Sequence, residues 1–502
     1  MDKTAIIVLD TTKVKLVFAN VTKNKSFSIY DNVEVPINLM KDFGEENFIK
    51  STIVKEVVGI LSVFKKMIDK EGITESICVA TSKINEAKNQ NGFLNEIFSV
   101  TNLKFNILSP EEEINYIYTA VINSFNKPKG LIINVANYQT EILLYNRRNV
   151  LNTYVLPFGS INLTEKFSNG TTKENMDNIK QFVYDSLKEQ GWIFELDEEY
   201  ELIGAGELFL SLGEVSRRAK KYPLQVEHNY CLSVADVNKV YDVVSNMEIT
   251  KNSKIKGVSQ ENTQNLPAGL ATIMAVISNC NKESLSISKT GLVDGILLNN
   301  VLPLTLEKPI SDNLGYSLQV LNEYYDKEQN NAEHVYNLSM ILFNQLKVLH
   351  KLNRSYVRVL RVASYMYACG QRVTVDSPEK ISFNIILNSQ IYGVSHQELV
   401  LAAFTSILRD PDNFNLADWV KYKDLVTEAD LDAVKKLAVI LQIASNLDCT
   451  KFGNVVDISC DILGDSVIMK TITNGEVPLE IRQAKLSTID FKRAYNKNLE
   501  IL

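Results

Sequence analysis

Four short stretches carry side chains whose types and spacing could act on an anion. The run GLIINVANYQTEILLY (130–145) reads as an apolar strand, a tight reversal and a second apolar strand. Strand-turn-strand units of this kind hold phosphate on their turn amides, and glycine is what lets the phosphate come close. The reversal here, Asn134-Val135-Ala136-Asn137-Tyr138-Gln139, contains no glycine, and Thr140 and Glu141 follow it. A second carboxylate group lies in Pro110-Glu111-Glu112-Glu113, which opens a helix with acids in the turn where the helix dipole favours them. Thr11-Thr12-Lys13 follows the first strand, and Gly204-Ala205-Gly206 follows a later one. A carboxylate beside a phosphate-holding turn can orient water, but a turn full of side chains is poorly suited to holding the phosphate.

The elements that must position these groups repeat one plan. Strand signals at 5–9 and 15–20 precede a helix with Val54, Val57, Val58, Leu61, Phe64 and Ile68 on one face. The segment ESICVATS (75–82) returns as a strand, 92–99 looks helical, and 105–108 is a further strand before the Pro110 helix. A second pass starts near Gly130, with strands at 150–156 and 200–203 and a helix through 175–190. A duplicated α/β plan of this type places a ligand cleft between its halves. After about residue 305 the apolar spacing is helical at 332–352, 356–369, 397–408 and 429–447, while DISCDIL, SVIMKTI and PLEIRQA near the end alternate like short strands. The expected domains are 1–122, 123–305, a helical 306–452 and a small 453–502 appendage.

Composition narrows the chemistry. The 502 residues are 45% hydrophobic and 23% charged, an ordinary globular balance, and the net charge of −7 argues against a general nucleic-acid or membrane-surface binder. Six cysteines stand singly without C-x-x-C spacing and there are only four histidines, so a zinc site is not expected. The start MDKTAIIVLDTTKVKLVF is broken by Asp10 and Lys13 and reads as a folded strand rather than a signal peptide. No apolar run approaches the ~18–20 residues that span a membrane. These features lead to the expectation of a soluble protein of a reducing, cytoplasmic compartment.

Taken together, VATSKINEAKN (79–89), ILSPEEEINYIY (107–118), LPFGSINLTEKF (156–167), LPAGLATI (266–273) and ISKTGLVDGIL (287–297) resemble the exopolyphosphatase and guanosine pentaphosphate phosphatase (Ppx/GppA) family. The resemblance implies two actin-like (ribonuclease H-like) ATPase-superfamily lobes, then an all-α HD-like domain and a small β-rich appendage. It implies Mg2+ as cofactor, polyphosphate or guanosine polyphosphate as ligand, and a homodimer. It assigns Glu113 the part of general base, with Glu112 as its neighbour, and Glu141 service to magnesium or water. It places Thr11, Thr12, Lys13, Thr140, Gly159, Ser160, Gly204 and Gly206 at the phosphate.

The sequence departs from that family's pattern in several places at once. The first loop, Asp-x-Gly-Ser/Thr-Asn-Ser in the family, is Val8-Leu9-Asp10-Thr11-Thr12-Lys13 here. The glycines of Asp-x-Gly-Gly-Gly-Ser-Thr-Glu have become Ala136, Asn137 and Tyr138. The family's arginine matches Asn85, Glu207 stands in the third glycine loop, and Lys289, Val293 and Asp294 replace Asp, Arg and Glu. The HD positions hold Asn331, Tyr367-Ala368 and Ile381, so no metal set is assigned there; His334, His350 and His396 read as solvated or packing residues. Three functions follow as expectations: a catalytically impaired member that acts by binding a phosphate-rich ligand or a protein partner, an active Mg-dependent phosphohydrolase, and an interaction platform. Tyr138 and Glu207 pointing into the cleft would weaken both anion readings.

Overall fold

The computed structural model describes residues 2–22, 26–40, 47–250, 253–301, 310–325, 331–410 and 414–502. The chain forms two compact units, one of Met1–Lys221 with Glu227–Ser311, the other of Tyr222–Val226 with Asp312–Leu502. The expected boundary at 305/306 lies outside the described residues. No helix among them is long and apolar enough to cross a membrane.

The first unit contains both α/β halves. Strands β1 (Asp2–Leu9), β2 (Lys13–Val21) and β3 (Phe27–Pro36), then β4 (Ser76–Ala80) and β5 (Asn106–Ile107), form a sheet in the order β3-β2-β1-β4-β5. Strands β1 to β3 are antiparallel, whereas β4 and β5 join in parallel, the mark of helical crossovers. Those crossovers are α1 (Ser51–Lys70) and α2 (Gln90–Thr101), which with β5 are followed by α3 (Pro110–Ile122). Helix α1 buries Ile53, Val54, Val57, Leu61, Phe64 and Ile68, the three- and four-residue spacing read from the sequence.

The second half repeats the plan. Strands β6 (Lys129–Val135), β7 (Thr140–Asn146) and β8 (Asn149–Leu156) form an antiparallel meander, followed by α4 (Ser160–Lys166), α5 (Thr172–Leu187), β9 (Glu201–Ala205) and α6 (Glu207–Lys220). Strand β10 (Tyr230–Ser233), α7 (Val234–Ser245), α8 (Gln260–Cys280), β11 (Ser284–Ile287) and α9 (Leu292–Val301) complete it, in the sheet order β10-β11-β9-β6-β7-β8.

The halves exchange helices across one crossing. Helix α3 ends the first half, yet it packs Ile114, Ile117 and Val121 on Ile132, Leu143 and Ile203 of the second sheet. Helix α9 ends the second half, yet Ile296 and Leu297 pack on Ile6, Val8 and Val79 of the first sheet. The two helices meet where Gly295 is buried against the backbone of Tyr116, and a Cβ at 295 would run into the Tyr116 carbonyl oxygen.

The second unit is helical, with a three-stranded sheet of β12 (Val455–Leu463), β13 (Ser466–Thr473) and β14 (Asn498–Ile501). One core runs from Leu342 and Leu437 on helices to Ile458, Val467, Met469 and Ile501 on strands, so the appendage shares a core with the helices. The expected strand at PLEIRQA is instead the helix Pro478–Lys485. Proline at its first turn is favourable there, and Glu480 and Ala484 lie one turn apart on its buried side, so the alternation of Leu479 and Ile481 was a misleading signal. Among the described residues no group of three or more His, Cys, Asp or Glu is placed to hold a metal ion. Asn331 hydrogen-bonds the Tyr367 hydroxyl (3.4 Å). The three histidines bond within this unit: His334 with Asp448 (3.0 Å), His350 with the Phe343 carbonyl (2.7 Å), and His396 with the Tyr222 hydroxyl (2.8 Å).

The α3–α9 crossing generates a prediction. Gly295→Ala gains about 1 kcal/mol of helix propensity, but the new methyl meets a backbone carbonyl that cannot rotate away. The variant is expected to be less stable by about 1–3 kcal/mol in urea unfolding; unchanged or raised stability would show that the helices can move apart at this point.

Candidate functional site

The turn of the β1–β2 hairpin and the turn of the β6–β7 hairpin face a common cleft of about 170 Å³, lined by Asp10, Thr11, Lys13, Thr81, Ser82, Lys83, Glu113, Asn134 to Gln139, Glu207 and Asn262, with Ile117, Leu208 and Leu292 as apolar wall. Helix α3 delivers Glu113 from its first turn. A capping box fixes that turn: Ser109 accepts from the Glu112 amide (3.1 Å) and the Glu112 carboxylate accepts from the Ser109 amide (2.7 Å). Glu112 is thereby committed to the cap, and its neighbour Glu113 is the one turned inward, only 7% exposed.

Glu113 lines the cleft, whereas Glu141 is not among its lining residues and is joined to Glu113 through Gln139. The Gln139 carboxamide nitrogen donates to Glu113 Oε2 (3.0 Å) and to Glu141 Oε1 (2.9 Å), so one side chain bridges the two carboxyls. Its oxygen accepts from the Ser82 hydroxyl (3.1 Å). Glu113 Oε1 also accepts from the Ser82 amide, and Glu141 Oε2 accepts from the Asn134 carboxamide. Glu141 is fully buried, at 0% exposure. Desolvation raises both carboxyls above their ordinary range. A backbone hydrogen bond from Ser82 partly offsets the rise at Glu113, and repulsion from Glu113 adds to that at Glu141.

The turns themselves are held by side chains rather than by glycine. None of residues 134–139 is among the non-glycine positions of positive φ, so the turn is made without a left-handed residue. Instead the Ala136 amide donates to the Gln139 carbonyl (3.0 Å), and the Asn137 carboxamide donates to the Thr12 hydroxyl (3.0 Å). In the first hairpin Asp10 Oδ1 accepts from the Thr11 amide (2.7 Å) and the Thr81 hydroxyl (3.0 Å), a role that its place in a glycine position did not suggest. Gly206 has φ +91° and lies against the Asn134 carboxamide oxygen, so this glycine is required by backbone conformation and by close approach to a neighbouring side chain.

The cations of the cleft are engaged by acids. Lys13 pairs with Glu207 and with Glu34 (3.0 Å), and Lys83 pairs with Glu86 (2.6 Å) while lying 5.2 Å from the Tyr138 ring centre. Lys83 was missed in the sequence; it stands two positions before Asn85, where the family's arginine was sought, and Asn85 is exposed. Lys289 pairs with Glu227 and does not line the cleft. Thr12, Thr140, Gly159, Ser160, Gly204 and Gly206 do not line it either. Thr140 donates to the Phe158 carbonyl (2.9 Å), and the Ser160 amide donates to the Ala136 carbonyl (3.0 Å), so both support the β6–β7 turn from behind. Tyr138 and Glu207 do line the cleft, the arrangement that disfavours an anion.

A magnesium ion here would have at most the Glu113 and Glu141 carboxylates as acidic ligands, with water completing its shell. Glu113 and Glu141 direct their oxygens at amide and carboxamide donors, and no third His, Cys, Asp or Glu joins them to complete a ligand group among the described residues. The arrangement holds two buried carboxyls on one carboxamide donor.

The raised carboxyls make stability depend on pH. A carboxyl whose folded value exceeds its unfolded value keeps its proton longer in the native state, so it costs nothing at acid pH and reduces stability as pH climbs from the ordinary carboxylate range through the raised value. Wild-type unfolding free energy is expected to fall across that window by up to about 1.4 kcal/mol per pH unit for one proton. Glu141→Gln should flatten this slope in urea titrations at a series of pH values, whatever its effect on absolute stability; an unaltered slope would remove Glu141 as the cause.

Residues 17–303 match the Ppx/GppA phosphatase family. The bifunctional 3-dehydroquinate synthase/phosphatase of Fusobacterium nucleatum subsp. nucleatum is 25% identical over 312 residues, 59% of this chain and 46% of that protein. The guanosine-5'-triphosphate,3'-diphosphate pyrophosphatase of Aeromonas hydrophila subsp. hydrophila is 24% identical over 351 residues, 66% of each. The chain thus spans about half and about two thirds of these relatives. Among solved structures, a Ppx/GppA family member from Aquifex aeolicus superposes with a TM-score of 0.54 at 23% identity, over 61% of this chain and 99% of that one. An exopolyphosphatase from Cytophaga hutchinsonii gives 0.55 at 16% identity, over 60% and 98%. These structures share the two-lobed α/β fold of the first unit, and with the match across more than half of its length the chain belongs to the Ppx/GppA phosphatase family.

Proposed function

We propose that this chain is a catalytically impaired member of its family that acts by binding rather than by turnover. The observation that carries the reading is the Gln139 carboxamide, which donates to Glu113 and Glu141 together and so stands between the two carboxyls to which the resemblance gives the chemistry. A water activated by Glu113 would have to displace that hydrogen bond. Phosphoryl transfer depends on positioning and on cations aimed at the developing charge, and one such donor is worth roughly 10²–10³ in rate. Here the arginine position is an exposed asparagine, and Lys13 and Lys83 are paired with Glu207, Glu34 and Glu86. Within the binding reading these pairs favour a protein partner over polyphosphate or guanosine polyphosphate in the cleft. A homodimer and a cytoplasmic setting belong to the same proposal through the family resemblance.

One observation favours the second reading, a working phosphohydrolase. Glu113 is buried at the start of α3 and burial raises its carboxyl to about 7, a value suited to a general base near neutrality. The names of the relatives, a pyrophosphatase and an exopolyphosphatase, point to polyphosphate or guanosine pentaphosphate as its substrate class.

Phosphate release from long-chain polyphosphate and from guanosine pentaphosphate, with magnesium and at high protein concentration, separates the two. Wild type is expected to release no more phosphate than Glu113→Gln. Release that the substitution abolishes would establish the phosphohydrolase and overturn the binding reading.

A further inference from the structure

We propose that Asn137, Gln139 and the Lys13–Glu207 pair act as a built-in ligand that holds the two lobes closed with no phosphate present. This rests on the binding reading and adds a conformational consequence to it.

The two halves are joined on one side by the α3–α9 crossing, where each helix lies on the other half's sheet. Around the cleft, polar side chains of the facing hairpins and of the first turn of α6 reach from one half to the other. Among the described residues three hydrogen-bonded or ion-paired links cross it, beside the contact of Lys83 with the Tyr138 ring. Thr12 of the first half accepts from Asn137 of the second at 3.0 Å. Lys13 of the first half pairs with Glu207 of the second. Ser82 of the first half donates its hydroxyl to Gln139 (3.1 Å) and its amide to Glu113, whose helix lies on the second sheet.

In a two-lobed protein, closure normally follows ligand binding because the ligand supplies contacts to both lobes that the empty cleft lacks. Here side chains at 137, 139 and 207, where the family pattern has glycine or serine, supply such contacts from within the chain. The space they leave, about 170 Å³, falls below the ~300 Å³ at which ordinary small-molecule pockets begin. The links are side chains on turns and on the start of a helix. Removing them leaves the sheets and the α3–α9 crossing intact.

The test is amide hydrogen exchange on the full chain, resolved at the turns 10–13 and 135–140, with α3 and α9 as internal reference. Wild type should show protected turns without ligand and no added protection from tripolyphosphate. The triple variant Asn137→Gly/Gln139→Ser/Glu207→Gly should exchange about ten-fold faster or more at both turns, with α3 and α9 unchanged. Lys13→Glu alone should loosen the turns, and adding Glu207→Lys should restore their protection, which a merely misfolded variant would not do. Turns in wild type that exchange as exposed loops, added protection from tripolyphosphate, or unaltered turns in the triple variant would each overturn the proposal. Phosphate release would defeat the binding reading in a separate assay, whereas a null exchange result with no release would defeat this inference alone.

Discussion

The constraint on which this cleft depends is the burial of two carboxyls close enough to repel each other. Among the described residues no cation stands among the main influences on Glu113 or Glu141, and an uncompensated charge in low dielectric is costly. The chain answers with neutral donors. Gln139 reaches both carboxyls, Ser82 gives a backbone amide to one and Asn134 a carboxamide to the other, and the pair retains its protons more strongly than exposed glutamates do. The elements that carry these donors are supported by the Thr140 and Ser160 hydrogen bonds behind the turn and by the glycine at 206 that makes room for Asn134.

A second consequence is electrostatic. A cleft that binds phosphate needs cations whose charge is not already balanced, or backbone amides that a phosphate can reach. Lys13 and Lys83 bring positive charge to the cleft, but Glu34, Glu207 and Glu86 balance it locally, and residues 136 to 139, with side chains in place of glycine, line the cleft. The replacement of glycines and the neutralisation of lysines therefore act in the same direction. They make the interior of the cleft self-sufficient, while the sheets and crossing helices that form its walls keep the family architecture.

Much of this was legible along the chain. Strand-turn-strand units, the helix with an acidic first turn and the glycine-free reversal depend on local residue order, which period and turn chemistry report directly, whereas Asn85 stands out only against the family pattern. Lys83 and Asp10 escaped because their importance comes from a three-dimensional neighbour, the ring of Tyr138 for one and the Thr81 hydroxyl for the other. The helix at 478–485 escaped because two apolar residues two apart mimic a strand when seen without the core that buries Glu480 and Ala484. The tie between Asn137 and Thr12 spans 125 residues, and no local pattern announces it.

The sequence by itself determined the two α/β halves, the helical character of most of the second unit and the removal of glycine from the second hairpin turn, because each is set by residues close together along the chain. Only the tertiary structure decided that α3 and α9 exchange sheets, that Glu112 serves a helix cap while Glu113 faces the cleft, and that Gln139 bridges two carboxyls. Those outcomes turn on which distant side chains meet and how far water is excluded where they do, and burial is a property of the assembled fold.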